Sequence, residues 1–286
     1  MHISSLELPA PAKINHFLHI CGRRDDGYHN LQTVFQFLDI ADTLFFERRE
    51  DGKIQLLSEL DEIPNEENLI IRAARALQKV SNSSYGADIR IRKILPMGAG
   101  LGGGSSNAAT CLVALNHLWQ LAYSTEQLQQ IGVALGADVP IFIYGKSAWA
   151  EGIGEKLHAI TLSERWYLLL IPPCHVSTAK IFSHPQLTRD TEMKTIAAFL
   201  EQGSQEHFHN DCEYLVRRLY PEVDLAFNML SRFAQARMTG TGACVYASFA
   251  NKQQAQQAAD SLPADTQYFI SKSSNLSPLY KALQIL

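Results

Sequence analysis

The stretch Leu95-Pro96-Met97-Gly98-Ala99-Gly100-Leu101-Gly102-Gly103-Gly104-Ser105-Ser106-Asn107 is the most unusual in the chain, and its reading decides the fold. Its five glycines, at 98, 100, 102, 103 and 104, are followed by two hydroxyls and then by a run with helical apolar spacing, 107–121, through Ala108, Cys111, Leu112, Leu115, Leu118 and Trp119. Glycine lets the backbone reach positive φ and approach a ligand closely. The unpaired N–H groups of a helix start offer partial positive charge to an anion. Ser105 and Ser106 can add hydrogen bonds to a phosphate or reach its Mg²⁺. The same residues also fit a plain turn in which one serine caps the helix, although such a turn needs fewer glycines.

Three familiar phosphate sites can be tested against this loop. Gly98-x-Gly100-x-x-Gly103 satisfies the dinucleotide fingerprint by letter, but the acid expected about 20 residues on would fall at a helix end rather than on a second strand. A Walker loop needs Gly-Lys-Ser/Thr, which is absent from this loop, and neither H-R-D nor D-F-G follows downstream. What remains is a phosphate loop without a lysine of its own. Charge neutralisation then has to come from Mg²⁺ and from a lysine elsewhere.

Outward from the loop, the sequence predicts strands over 13–20 and 31–38, joined by a polar Asp26-Gly27 turn, then a helix over 68–80 and a half-buried strand over 87–95. Beyond 121, Ser124 with Gln127 reads as a capping box for a helix ending near Leu135-Gly136, and a strand is predicted over 141–144. A strand over 166–171 leads to Pro172-Pro173, and a loose boundary is placed near Thr161. The last third reads as helices over 193–200, 212–219 and 223–233, a glycine turn at 239–242, a strand over 243–249, a helix over 252–261 and a strand over 267–271.

The bulk numbers fit one large or two ordinary domains: 286 residues, 46% hydrophobic and 19% charged. A net charge of -4 argues against nucleic acid as a partner. Cys21, Cys111, Cys174, Cys212 and Cys244 form no C-x-x-C pair, which fits a reducing cytoplasm. The opening residues lack a signal-peptide pattern and no apolar run approaches ~18 residues, so neither export nor a membrane partner is expected. His207 and His209 have no metal-ligand spacing, and no protein-bound metal site is expected.

Three motifs occurring in order resemble the GHMP kinases: Pro9-Ala10-Pro11-Ala12-Lys13-Ile14-Asn15, the loop from Pro96 to Asn107, and Thr239-Gly240-Thr241-Gly242-Ala243-Cys244. Asp26-Gly27-Tyr28-His29-Asn30 and Gly136-Ala137-Asp138-Val139-Pro140 bring the chain nearest to the branch that phosphorylates a hydroxyl of a cytidyl-diphosphate sugar alcohol in the non-mevalonate route to isoprenoids. The resemblance spans nearly the whole chain. It implies an α+β, two-domain fold: a ribosomal-protein-S5-domain-2-like α/β domain over 1–160 that binds ATP, and a ferredoxin-like α/β domain over 161–286, with the active site in the cleft between them. ATP is the implied co-substrate, Mg²⁺ arrives with it, and the oligomeric state expected is monomer or homodimer. His16, at a place more often apolar, and Ala99, within the glycine run, depart from the usual pattern without removing a reactive group.

Site roles follow from the same resemblance. Taken alone, Lys13 fits an edge-strand lysine facing water and Asp138 a turn former. The resemblance makes Asp138 the general base for the acceptor hydroxyl and pairs it with Lys13, a cation suited to the transferring phosphoryl group. It assigns ATP to Pro96, Met97, Gly98, Ala99, Gly100, Leu101, Gly102, Gly103, Gly104, Ser105 and Ser106, with Asn68 and Lys93 toward the adenine. Asn68 also reads as a helix cap and Lys93 as a solvated lysine. Tyr28, His29 and Phe182 are implied to hold the cytosine, Asn15 and Thr178 the rest of the substrate. The turn Thr239, Gly240, Thr241 and Gly242 has little side-chain volume and would let the C-terminal half approach the phosphates, or serve only as a strand-leading turn. Another small hydroxyl acceptor of the mevalonate or homoserine type is the competing enzyme reading. A non-catalytic ligand sensor on the same fold would be expected to lose Lys13 or Asp138.

Overall fold

A computed structural model describes residues 4–58, 64, 66–201 and 208–284; His207 lies outside them. Two strands far longer than 13–20 and 31–38 open the fold, β1 (Ser5–Arg23) and β2 (His29–Arg49), paired antiparallel. Register shifts between Pro11 and Lys13, Asn15 and Leu18, and Ile20 and Gly22 bend the ribbon. Such bulges let one pair of strands serve two layers and hide the alternation that a sequence pattern needs.

The remaining elements of the first half are β3 (Ile54–Leu56), α1 (Leu69–Ser81), β4 (Gly86–Arg92), α2 (Gly103–Leu118), α3 (Thr125–Val133), α4 (Val139–Tyr144), β5 (Ala148–Glu151) and β6 (Lys156–Ala159). The expected capping box is present: Ser124 accepts from the Gln127 amide and the Gln127 side chain accepts from the Ser124 amide. The strand expected over 141–144 is instead α4. A fully buried apolar run reads alike in either state, and here Pro140 in the first turn and Gly145 with φ 71 at the C-cap select the helix. Helix α2 begins at Gly103, four residues before the periodic run, and its cap is Gly102 rather than either serine. Leu8, Phe46, Leu77, Ile89, Leu112 and Ile141 belong to the core between these helices and the sheet.

The second half contains β7 (Trp166–Leu170), α5 (Thr178–Ser183), α6 (Ile196–Glu201), α7 (Glu213–Leu219), α8 (Pro221–Ser231), β8 (Arg237–Met238), β9 (Val245–Phe249), α9 (Lys252–Asp260), β10 (Tyr268–Ser274) and α10 (Pro278–Leu283). Its strands lie side by side as β10-β7-β9-β8, each pair antiparallel. With helices after the first and third strands, this is the ferredoxin-like β-α-β-β-α-β arrangement. Ser273 and Ser274 of β10 pair with Leu38 and Phe37 of β2, which joins both halves into one sheet. α10 then returns to the first half, where Leu279 is fully buried and the Tyr280 hydroxyl donates to the Ile143 carbonyl. A smaller core of Ile14, Leu38, Leu95, Leu101, Tyr167 and Tyr246 draws on both halves and underlies the glycine loop.

Candidate active site

A cleft of about 420 Å³ runs along the join between the halves. One wall is the glycine loop, where Gly98, Gly100 and Gly102 have φ of 65, 75 and 74°. A Cβ on Gly100 would overlap the Thr239 carbonyl oxygen, so this glycine is what lets the loop and the late turn touch. Gly102 caps α2 with no side-chain hydrogen bond, leaving the first-turn N–H groups without the usual side-chain acceptor. Ser106 Oγ and Asn107 Oδ1, both buried, have no hydrogen-bond partner among the described residues. An uncapped helix start facing the cleft suits an anionic phosphate.

Lys13 lies opposite, on β1, with its side chain only 2% exposed, so the edge-strand alternative is excluded. Its amide donates to Leu101 O at 3.0 Å, and its Nζ donates to Gly100 O at 2.9 Å and to Asn15 Oδ1 at 2.6 Å. Asp138 Oδ2 stands 3.3 Å from the same Nζ, and the Phe35 ring centroid is 5.5 Å away. A buried ammonium is tolerable only with such a set of partners. Asp138 occupies the cap position of α4 but makes no side-chain capping bond, which leaves its carboxylate, 36% exposed, facing the lysine and the cleft.

Thr239 holds the centre together. Its Oγ1 accepts from the Asn15 amide at 3.0 Å and lies 3.3 Å from both Asn15 Oδ1 and Gly100 O. Asn15 Nδ2 donates to Thr33 Oγ1 at 2.9 Å, and the Tyr246 hydroxyl donates to Asn15 O at 2.8 Å. Cys244 N donates to Ala99 O at 3.1 Å, so turn and loop are bonded directly. Thr178 Oγ1 and Thr241 Oγ1 are 2.9 Å apart.

Of the residues singled out in the sequence, Lys13, Asn15, Asp138, Thr178, Phe182, Gly240, Thr241 and Gly242 line the cleft, together with the loop positions 96–100 and 102–105. Leu101, Ser106 and Thr239 are buried beneath it. Asn68 caps α1 by accepting from Ile70 N at 2.9 Å. Lys93 is ion-paired, not free in solvent: Nζ is 2.7 Å from the fully buried Asp42 and donates to Leu95 O at 2.7 Å. His29 is buried, its ring 5.2 Å from that of Phe182, and burial followed by the charges of Arg189 and Arg23 holds it below the ordinary histidine range. Tyr28, next to His29 in the chain, is 58% exposed.

Several residues of the site carry no sequence signal. Asp42 accepts from Ile94 N at 2.7 Å and Leu95 N at 2.8 Å, fixing the chain just ahead of the loop. Asn210 steadies the late turn by donating to Met238 O at 3.0 Å and Gly240 O at 2.7 Å. The departure at His16 is accommodated by a 2.9 Å hydrogen bond to Gln36 Oε1, and burial pushes its pKa down to about 4. Among the described residues no helix is long and apolar enough to cross a membrane, and no group of three potential metal ligands comes together.

Comparison with known proteins places this geometry. Residues 68–146 match the family described as GHMP kinases N terminal domain, and 189–266 match GHMP kinases C terminal. The 4-diphosphocytidyl-2-C-methyl-D-erythritol kinase of Pseudomonas aeruginosa is 53% identical over 281 residues, 98% of each chain. A crystal structure of 4-(cytidine 5'-diphospho)-2C-methyl-D-erythritol kinase superposes with a TM-score of 0.80 at 30% identity, covering 94% of this chain and 99% of that one. The Methanococcus jannaschii mevalonate kinase shares the fold, with a TM-score of 0.71 at 17% identity over 96% and 99% of the two chains.

Proposed function

Since the chain belongs to the GHMP kinases, and is thereby an ATP-dependent phosphotransferase, we propose that its acceptor is the 2-hydroxyl of 4-diphosphocytidyl-2-C-methyl-D-erythritol. The products would be the 2-phosphate and ADP, in the non-mevalonate route to isoprenoid precursors. The observation that carries the chemistry is the 3.3 Å pair of Lys13 and Asp138 at the mouth of the glycine loop.

In this reading the triphosphate of Mg²⁺-ATP lies against the first turn of α2, where loop amides and the Ser105 hydroxyl meet its oxygens, with Ser106 buried behind them. Mg²⁺ offsets the negative charge that the loop, lacking a lysine, leaves exposed. The acceptor hydroxyl approaches from the Asn15 and Thr178 side. Asp138 takes its proton as the oxygen attacks the γ-phosphorus in line. Lys13, held by Gly100 O and Asn15 Oδ1, places a fixed positive charge between the carboxylate and the loop. There it stabilises the charge shifting onto the transferring group. The cytosine would lie among Tyr28, His29 and Phe182.

The test is ADP release with Mg²⁺-ATP and an acceptor panel of 4-diphosphocytidyl-2-C-methyl-D-erythritol, phosphomevalonate, homoserine and galactose. Turnover is expected with the cytidyl acceptor. Turnover only with another acceptor would leave the kinase assignment standing and remove the substrate.

A further inference from the structure

Arg189 lies outside the cleft, in the segment after α5, and the mechanism above makes no use of it. Its guanidinium spends its donors on uncharged acceptors. Nε donates to His29 Nε2 at 3.0 Å, Nη1 to Leu187 O at 3.0 Å, and Nη2 to Phe182 O and His184 O, both at 2.8 Å. Three of these acceptors are carbonyls at and beyond the C-terminal end of α5, where a cation is favoured by the orphaned helix carbonyls. The fourth is a ring nitrogen on a different element.

This arrangement constrains His29 chemically. An arginine has donors and no acceptor, so His29 Nε2 must present its lone pair, and the proton of the neutral ring then sits on Nδ1. Burial and the neighbouring positive charges oppose a second proton. One side chain thus ties the Phe182 backbone to the His29 ring, and the two rings sit 5.2 Å apart at an interplanar angle of 37°.

We propose that Arg189 is the positioning residue of the base-holding set: it fixes His29 and Phe182 relative to each other and locks His29 as the neutral Nδ1–H tautomer, a hydrogen-bond donor. That donor matches the ring-nitrogen and carbonyl acceptors of cytosine. Uracil carries an N–H at the ring position where cytosine offers a lone pair, so the locked ring discriminates against it. A site built to pair a particular polar atom rejects a mismatched analogue strongly. The inference rests on the reading of Tyr28, His29 and Phe182 as the cytosine contacts.

The experiment compares full-length wild type, Arg189→Met, Arg189→Lys, Tyr28→Ala and Phe182→Ala. KM and kcat are measured for 4-diphosphocytidyl-2-C-methyl-D-erythritol, its uridyl analogue and ATP, with ¹⁵N spectra of ring-labelled histidine in the free enzymes. Arg189→Met is expected to raise KM for the cytidyl substrate about tenfold, the scale of one lost charge-assisted hydrogen bond, while KM for ATP holds. It should narrow the cytidyl-to-uridyl preference and convert the His29 signal from Nδ1–H to a tautomer mixture. Arg189→Lys, which cannot reproduce the four-bond fork, should behave alike. If Tyr28→Ala and Phe182→Ala raise the cytidyl KM while both arginine variants leave KM and tautomer unchanged, the Arg189 assignment is overturned alone. If none of the four variants moves the cytidyl KM, the base-holding set and Arg189's part in it fall together.

Discussion

Replacing Lys13 by Met separates a catalytic lysine from a structural one. The substitution keeps an unbranched apolar stem of nearly the same shape and removes the ammonium. In the free protein the loss is the bonds to Gly100 O and Asn15 Oδ1 and the 3.3 Å pairing with Asp138. Against that stands relief from holding an ion at 2% exposure, and Asp138, 36% exposed, can recover hydration. The two contributions are of similar size, so stability should change by no more than about 1–2 kcal/mol. In the transition state nothing offsets the loss. A preorganised charge or donor at the reacting centre is worth roughly 10²–10³ in rate, or about 3–4 kcal/mol. The assay is ADP release under saturating Mg²⁺-ATP and acceptor, alongside titration with a fluorescent ATP analogue and a urea unfolding curve. The expectation is a collapse of kcat with nucleotide binding and the unfolding midpoint nearly intact. A kcat within about tenfold of wild type, or a midpoint that collapses along with kcat, would refute the reasoning, since the charge would then serve folding rather than transfer.

Other consequences concern the supports of the site. Gly100→Ala forces a side chain into a left-handed residue, at about 1–2 kcal/mol, and onto the Thr239 carbonyl; KM for ATP should rise more than about tenfold and thermal stability fall. Gly104→Ala meets only Leu69 Cδ1, at 3.5 Å, among the described residues, so its melting temperature should hold. Asp42→Ala strands the Ile94 and Leu95 amides and Lys93, with an expected loss of about 3 kcal/mol in urea unfolding; a loss below about 1 kcal/mol would show that the anchor is not needed. His16 and His19 are both pushed from 6.5 down to about 4, chiefly by burial. The unfolded chain therefore binds protons first as pH falls below 6.5, and stability should decline from there toward pH 4, by up to about 3 kcal/mol per group when complete. His19→Leu, at a site where Nδ1 has no hydrogen-bond partner among the described residues, should flatten that decline between unfolding curves taken at pH 7 and pH 5.

What the sequence reveals depends on how local the cause is. The loop, the capping box at Ser124 and the amphipathic α1 are written in neighbouring residues, and they are found where spacing and turn chemistry put them. The full lengths of β1 and β2 are not, because Pro9, Pro11, Lys13 and the register shifts interrupt any simple alternation. α4 is a buried apolar run whose state is decided by its ends, Pro140 and Gly145, and not by its period. Lys13 and Asp138 look ordinary in isolation, one as a strand lysine and the other as a turn former. Only the folded sheet brings them to 3.3 Å, and in the sequence they are legible through likeness to known kinases alone. Asp42, Asn210 and Arg189 act by bonding backbone and side chains distant in sequence, so no spacing rule points to them.

The central claim is that this chain moves the γ-phosphoryl group of ATP onto the 2-hydroxyl of a cytidyl-diphosphate sugar alcohol. Its most direct test follows the phosphorus by ³¹P NMR in a mixture of enzyme, Mg²⁺-ATP and 4-diphosphocytidyl-2-C-methyl-D-erythritol. The account predicts one new phosphomonoester, coupled to the 2-position of the erythritol, for each ADP formed, with the cytidyl diphosphate left intact. ADP accompanied by free phosphate, or a monoester at another hydroxyl, would contradict it.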